Sequence, residues 1–205
     1  MDWTNVKLTF CLPGEAFSHN FLRCWTATIR TCDELGIPWL LSMGQGSNIA
    51  HLRDKVAGGD AKQGEHQLPH KNADYTHQVW IDSDQVWEPD DIFRLIEHDL
   101  DIVSGCIKTA DGNYALHRDH KRLDEVPGGL FEVDSCGFGF VVIKRKVFED
   151  IAFPWFRMLP STWGLGDDSE DVSFCRRARE AGYKIMADGD VHIGHEKPFV
   201  IGGKQ

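Results

Sequence analysis

A chain of 205 residues, 41% hydrophobic and 26% charged, has the make-up of one well-buried globular domain, which excludes a disordered or low-complexity polymer. Its 22 basic and 32 acidic residues give a net charge of -10, which disfavours a broad electrostatic grip on nucleic acid or on an anionic membrane. The six cysteines, at 11, 24, 32, 106, 136 and 175, include no C-x-x-C pair, so neither a zinc knuckle nor a disulfide framework is signalled.

The first element in chain order is the alternating run Val6 to Leu12, stopped by Pro13-Gly14, which predicts a buried strand ending in a loop. Ser18 is placed to cap a helix on which Phe21, Leu22, Trp25, Ile29 and Cys32 recur at three- and four-residue spacing, closed by Gly36 and Pro38. Trp39 to Met43 reads as a second strand. After the Gly44-Gln45-Gly46 turn, Ser47 or Asn48 caps a helix through Ile49, Ala50, Leu52, Arg53 and Val56. Residues 58 to 74 are polar and read as a surface loop, and Gln78-Val79-Trp80-Ile81 is a short apolar strand cut off by Asp82-Ser83-Asp84.

Glu88-Pro89-Asp90-Asp91 opens another helix, and Asp101 to Gly105 reads as the next strand. From Lys108 to Gly129 periodicity is lost, and the basic groups Arg118, Lys121, Arg122 and Lys144-Arg145-Lys146 read as solvated surface. Phe131 to Val133 and Gly137 to Ile143 restore strand patterning, followed by a helix at about 145 to 151 and a loop over 154 to 167 that includes Trp163-Gly164-Leu165-Gly166. A strong helix spans Glu170 to Ala181, and Tyr183 to Met186 is the last strand, ended by a turn at Asp188-Gly189-Asp190. The alternation implies a single α/β domain with a mostly parallel sheet and helices on both faces, whose ligands sit beyond the carboxyl ends of strands.

Four polar groups fall in that zone. Asp82 and Asp84 would repel each other at a strand end unless a cation or solvent relieved them. In an extended segment residues i and i+2 point the same way, so both carboxylates could face one Mg²⁺ or Mn²⁺; the alternative is a plain turn. Glu170 and Asp171 begin a helix, where acids suit the dipole, but the acidic run is more than capping requires and could supply a general base. His192 and His195 are candidate ligands or ordinary surface histidines. Arg53 could reach a phosphate or a base, or lie on the helix surface. Neither a P-loop nor a G-x-G-x-x-G pattern is present, and His117-x-x-His120 with His192-x-x-His195 makes a poor zinc hydrolase set.

In order, Phe10 to Gly14, Ser47 to Asp54, Val79 to Asp84, Gly137 to Ile143, Ser169 to Tyr183 and Gly194-His195 resemble the GT-A glycosyltransferases, particularly the small family-two-like members met in phage and bacteria. The resemblance spans nearly the whole chain and implies one GT-A, Rossmann-like domain over 1–205, with a nucleotide-sugar half at about 1–107 and an acceptor half at about 108–205. It implies a hexosyl- or pentosyltransferase that uses Mn²⁺ or Mg²⁺ and a nucleotide-sugar, UDP-linked by preference. Asp84, Asp82 and His195 would serve the metal. Pro13, Arg53, Asp82 and Ser83 would contact the nucleotide. Asp171, paired with Glu170, would be the base of an inverting transfer.

The implied acceptor is a glycan, a small molecule or a hydroxymethylated pyrimidine in phage-type DNA; a noncatalytic nucleotide-sugar or glycan-binding module of the same fold is the alternative. Asp54 stands where relatives usually carry Asn, and a chain without a separate acceptor domain is expected. The start of the sequence lacks signal-peptide features, and no apolar run approaches the roughly 20 residues of a membrane span, so a cytoplasmic protein, in the host cytoplasm if viral, without a membrane partner is expected.

Overall fold

The computed structural model describes residues 2–162 and 164–197, which leaves Trp163 of the glycine-rich loop outside. The chain runs β1 Leu8–Pro13, α1 His19–Leu35, β2 Trp39–Gly44, α2 Ile49–Val56, β3 His77–Ile81, β4 Gln85–Val86, α3 Pro89–Glu97 and β5 Ile102–Ile107. It continues with β6 Leu116–Arg118, β7 Lys121–Arg122, β8 Leu130–Val133, β9 Ser135–Cys136, β10 Phe140–Lys144, α4 Arg145–Asp150, α5 Glu170–Glu180 and β11 Ile185–His195.

Local chemistry sets the helix boundaries. The Ser18 hydroxyl accepts the Phe21 N–H at 3.0 Å, and Gly36 closes α1 in the left-handed region that a side chain would disfavour. Leu22, expected on the buried face, is 53% exposed because the buried stripe is Phe21, Cys24, Thr28 and Cys32, and Leu22 lies one step round the helix from it. Asn48 caps α2 through the His51 N–H, and Glu88 and Asp91 form a capping box around Pro89 on α3. Ser18→Ala is expected to lower the unfolding free energy by about 1 kcal/mol, read from the denaturant midpoint at unchanged slope.

The main sheet has the order β2-β1-β3-β10-β5-β11-β4, with β8 added on β11. β2, β1 and β3 run parallel, as do β5 and β11, while β10 is antiparallel to both β3 and β5. Five strands therefore share one direction and β10 is the reversed strand between them. No helix separates β5 from β10, so the chain returns to the sheet through β6 to β9 without the crossover that a parallel strand needs. The period of two in the strands divides the core. Leu8, Phe10, Leu12, Val79, Ile81 and Val142 pack with α1 and α3, whereas Cys11, Trp80, Val141 and Ile143 pack with α2, α4 and α5. Helices thus cover both faces, as the sequence implies.

Two further expectations fail. Residues 108–129 carry β6 and β7, which join β9 in a second sheet of order β7-β6-β9. The last strand does not stop at a turn: β11 runs on to His195 with a register shift between Ala187 and His192. Asp188 stays inside because its fully buried carboxylate accepts from Arg94 at 2.6 Å and lies 2.8 Å from His98 Nε2, while Gly189 passes so close to the Pro127 carbonyl that no side chain would fit. All six cysteines are buried and free, and no helix among the described residues is long and apolar enough to cross a membrane.

Candidate active site

The carboxyl ends of β1 and β3 place the first group. A Cβ on Gly14 would stand 2.5 Å from Ser83 Cβ, so the Pro13-Gly14 loop can press against Ser83 only because residue 14 is glycine. Asp82 N–H donates to the Gly139 carbonyl at 3.0 Å, and the chain then turns, with Gln85 N–H returning to the Asp82 carbonyl at 3.2 Å. Because Asp82 to Asp84 is a turn and not extended chain, the two carboxylates do not share one point. Asp82 faces Arg53, and Asp84 faces His195.

Arg53 is 4% exposed. Its Nη1 and Nη2 lie 3.0 and 3.1 Å from the two oxygens of Asp82, its Nε donates to Glu170 Oε1 at 3.1 Å, and Nη1 reaches the Phe138 carbonyl at 3.5 Å. The rings of Trp80 and Phe138 lie 5.8 and 5.6 Å from the guanidinium carbon. Burial alone would lower this group's pKa, but Asp82 and Glu170 outweigh it and hold the charge more firmly than usual. The family resemblance implies a place for Arg53 beside the nucleotide; its direct partners in the structure are protein carboxylates. Burial pushes the Asp82 carboxyl up from the ordinary aspartate value against the pull of Arg53, and Asp84 and Asp171 add to the push. Its Oδ1 is buried without a well-angled hydrogen bond, although Arg53 Nη1 is close by.

Glu170 and Asp171 open α5 and diverge at once. Glu170 is buried and committed to Arg53. Asp171 is half-buried; its Oδ1 accepts from the Ser169 hydroxyl and from Val172 N–H at 2.7 Å. On its other side lies Gly137, where a Cβ would crowd Ala115 at 3.1 Å and make only ordinary contact with Oδ2 at 3.7 Å. Asp168 of the same acidic run is buried and paired with Arg176 at 2.7 Å. His117 joins this end: on β6 it stands 3.0 Å from the Ser135 hydroxyl, and burial lowers its pKa although the charge of Asp171 draws it up. No signal in the sequence links His117 to Asp171, because β6 is a three-residue strand in an aperiodic stretch.

His195 Nε2 lies 3.1 Å from Asp84 Oδ2 and its Nδ1 3.2 Å from the Lys108 carbonyl. His192, three residues earlier on the same strand, points to the opposite face, exposed beside Tyr114. Burial raises the Asp84 carboxyl, but hydrogen bonds from Lys197 and Gln85 and the neighbouring His195 prevail and bring it below the ordinary value. Of the residues expected at a metal, the structure joins Asp84 and His195 and sets Asp82 apart. Among the described residues no three His, Cys, Asp or Glu side chains converge on one point. A carboxylate and an imidazole are still a fitting donor pair for Mn²⁺ or Mg²⁺ held jointly with phosphate oxygens and water, the usual arrangement for a cation that shuns all-protein cages.

No protein-family profile and no curated protein matches the sequence. Among solved structures, A197 from STIV covers 98% of this chain and 98% of its own, with a TM-score of 0.55 at 19% identity. A mutant of the Drosophila beta-1,4-galactosyltransferase 7, in complex with manganese, UDP-Gal and xylobiose, covers 94% of this chain and 71% of its own, with a TM-score of 0.55 at 15% identity. The chain therefore has a GT-A-like fold, the fold of that galactosyltransferase, in one α/β unit.

Proposed function

We propose that the protein is a metal-dependent glycosyltransferase that moves a hexosyl or pentosyl group from a nucleotide-sugar, UDP-linked by preference, to an acceptor hydroxyl. The carrying observation is that Arg53 ties Asp82 to Glu170, which brings the pair Asp82/Asp84 and the pair Glu170/Asp171 into one site at the carboxyl edge of the sheet. The manganese and UDP-Gal of the galactosyltransferase complex favour the same type of substrate and cation here.

In this reading Asp84 and His195 hold the cation, Pro13, Asp82 and Ser83 border the nucleotide, and Arg53 sets the angle of Asp82 from behind. The bound cation supplies charge stabilisation to the departing nucleoside diphosphate. Asp171 takes the acceptor's proton on Oδ2, because Oδ1 is already held by Ser169 and Val172. A base facing the leaving group across the anomeric carbon gives single displacement with inversion. The donor side is built mainly from residues before 108 and the acceptor side from those after, with His195 crossing back. The acceptor is a glycan, a small molecule or a hydroxymethylated base, and the site of action is the cytoplasm.

The test is a screen of UDP-, GDP- and dTDP-sugars with and without Mn²⁺, read as thermal stabilisation and as nucleotide release. The expected result is stabilisation by a UDP-sugar only when Mn²⁺ is present. If no nucleotide-sugar stabilises the protein with metal, the proposal is wrong.

A further inference from the structure

Asp84 Oδ2 carries two partners at once, His195 Nε2 at 3.1 Å and Lys197 Nζ at 2.7 Å, while Oδ1 takes the Gln85 amide at 2.8 Å. The lysine arrives by a defined route. Just past β11, Glu196 N–H donates to the Asp84 carbonyl at 2.8 Å, and the Glu196 carboxylate accepts from Asn20 on α1 at 2.6 Å. These contacts pin the backbone next to the carboxylate, so that the ammonium is delivered to it although the Lys197 side chain is 51% exposed.

A divalent cation on Asp84 and His195 needs the oxygen that Lys197 occupies, and two cations cannot share it without strong repulsion. We infer that Lys197 is a place-holder: it holds Asp84 until the cation arrives with the nucleotide substrate, and then moves onto the diphosphate. The inference rests on the nucleotide-sugar reading above and adds the way that site is filled. The four-carbon stem of lysine pivots while its backbone stays pinned, and the diphosphate offers the displaced ammonium a new anionic partner beside the old one. Two consequences follow by linkage. The cation alone binds weakly, since it must evict an ammonium with nowhere better to go. Cation and nucleotide bind with positive coupling, since each removes the other's obstacle.

The experiment measures Mn²⁺ binding alone, by the loss of the free-ion magnetic resonance signal, and UDP binding at saturating Mn²⁺, by calorimetry. Asp84→Asn defines the binding that belongs to this site. Lys197→Ala is expected to bind Mn²⁺ alone about 3- to 10-fold more tightly and UDP with Mn²⁺ about 10-fold more weakly, the scale of a half-exposed charge pair gained or lost. Lys197→Arg should stay near wild type in both. Lys184→Ala, which removes a positive charge paired with Glu132 at the opposite end of β11, should change neither. Opposite signs for the two affinities in Lys197→Ala support the place-holder. Loss of both affinities makes Lys197 a structural strap and overturns it, as does an unchanged UDP affinity. If wild type itself binds neither Mn²⁺ nor UDP with Mn²⁺, the reading of the site has failed and the inference falls with it.

Discussion

Asp171→Asn is expected to lower kcat for sugar transfer by about 10²- to 10⁴-fold and to leave nucleotide-sugar binding intact, the signature of losing a general base. The amide keeps the shape of the carboxylate, so its oxygen still accepts from Val172 N–H and α5 keeps its start. What disappears is the ability of the second atom to take a proton. Glu170 cannot step in, because it is buried against Arg53. Transfer is measured as nucleotide release with an acceptor present, and binding by calorimetry with UDP-sugar and Mn²⁺. An unchanged kcat would remove Asp171 from the chemistry; a protein that binds the nucleotide-sugar and turns over in neither form is a binding module.

Much of this arrangement is legible in the sequence because it is local. Ser18, Asn48 and the Glu88-Pro89 pair announce their helices through groups only one to three residues away, and the apolar run Val79 to Ile81 ending in Asp82 marks a strand edge. Features set by distant partners are not legible. The last strand reads as ending at Met186, before a turn at Asp188-Gly189-Asp190, because a buried aspartate looks like a turn until Arg94 and His98 are brought to it by α3. The reversal of β10 leaves no trace in its own residues, since an apolar strand reads the same in either direction. Asp82 and Asp84 read either as one chelating pair, because their spacing suits extended chain, or as a plain turn; the turn, closed by Gln85 N–H, sends them to separate partners. Arg53 reads as a nucleotide contact or a helix-surface residue, and its burial is not legible because the Trp80 and Phe138 rings that enclose it come from other elements.

That enclosure gives Arg53 the largest expected effect on stability. Arg53→Met is expected to lower the unfolding free energy at neutral pH by about 3–5 kcal/mol, the range for removing one partner of a buried ion pair and leaving the others' charge unmatched. Methionine fills much of the same space between Trp80 and Phe138, so the loss is chiefly electrostatic and not a cavity effect. The pH dependence separates the two. Burial already raises the Asp82 carboxyl above the ordinary aspartate value, and removing Arg53 takes away the charge that opposes the shift. A carboxyl with a raised pKa in the folded state binds more protons folded than unfolded between its two pKa values. Stability therefore falls as pH rises from the ordinary aspartate value through the raised one, and returns as pH falls back through that window. Denaturant unfolding of Arg53→Met at pH 7 and near pH 5 should show part of the deficit recovered at the lower pH relative to wild type. Adding Glu170→Gln should recover more at pH 7, because it deletes a second stranded charge. A deficit that is the same at both pH values and untouched by Glu170→Gln would mean that Arg53 serves packing alone, and that the tie between the two acidic pairs carries no electrostatic weight.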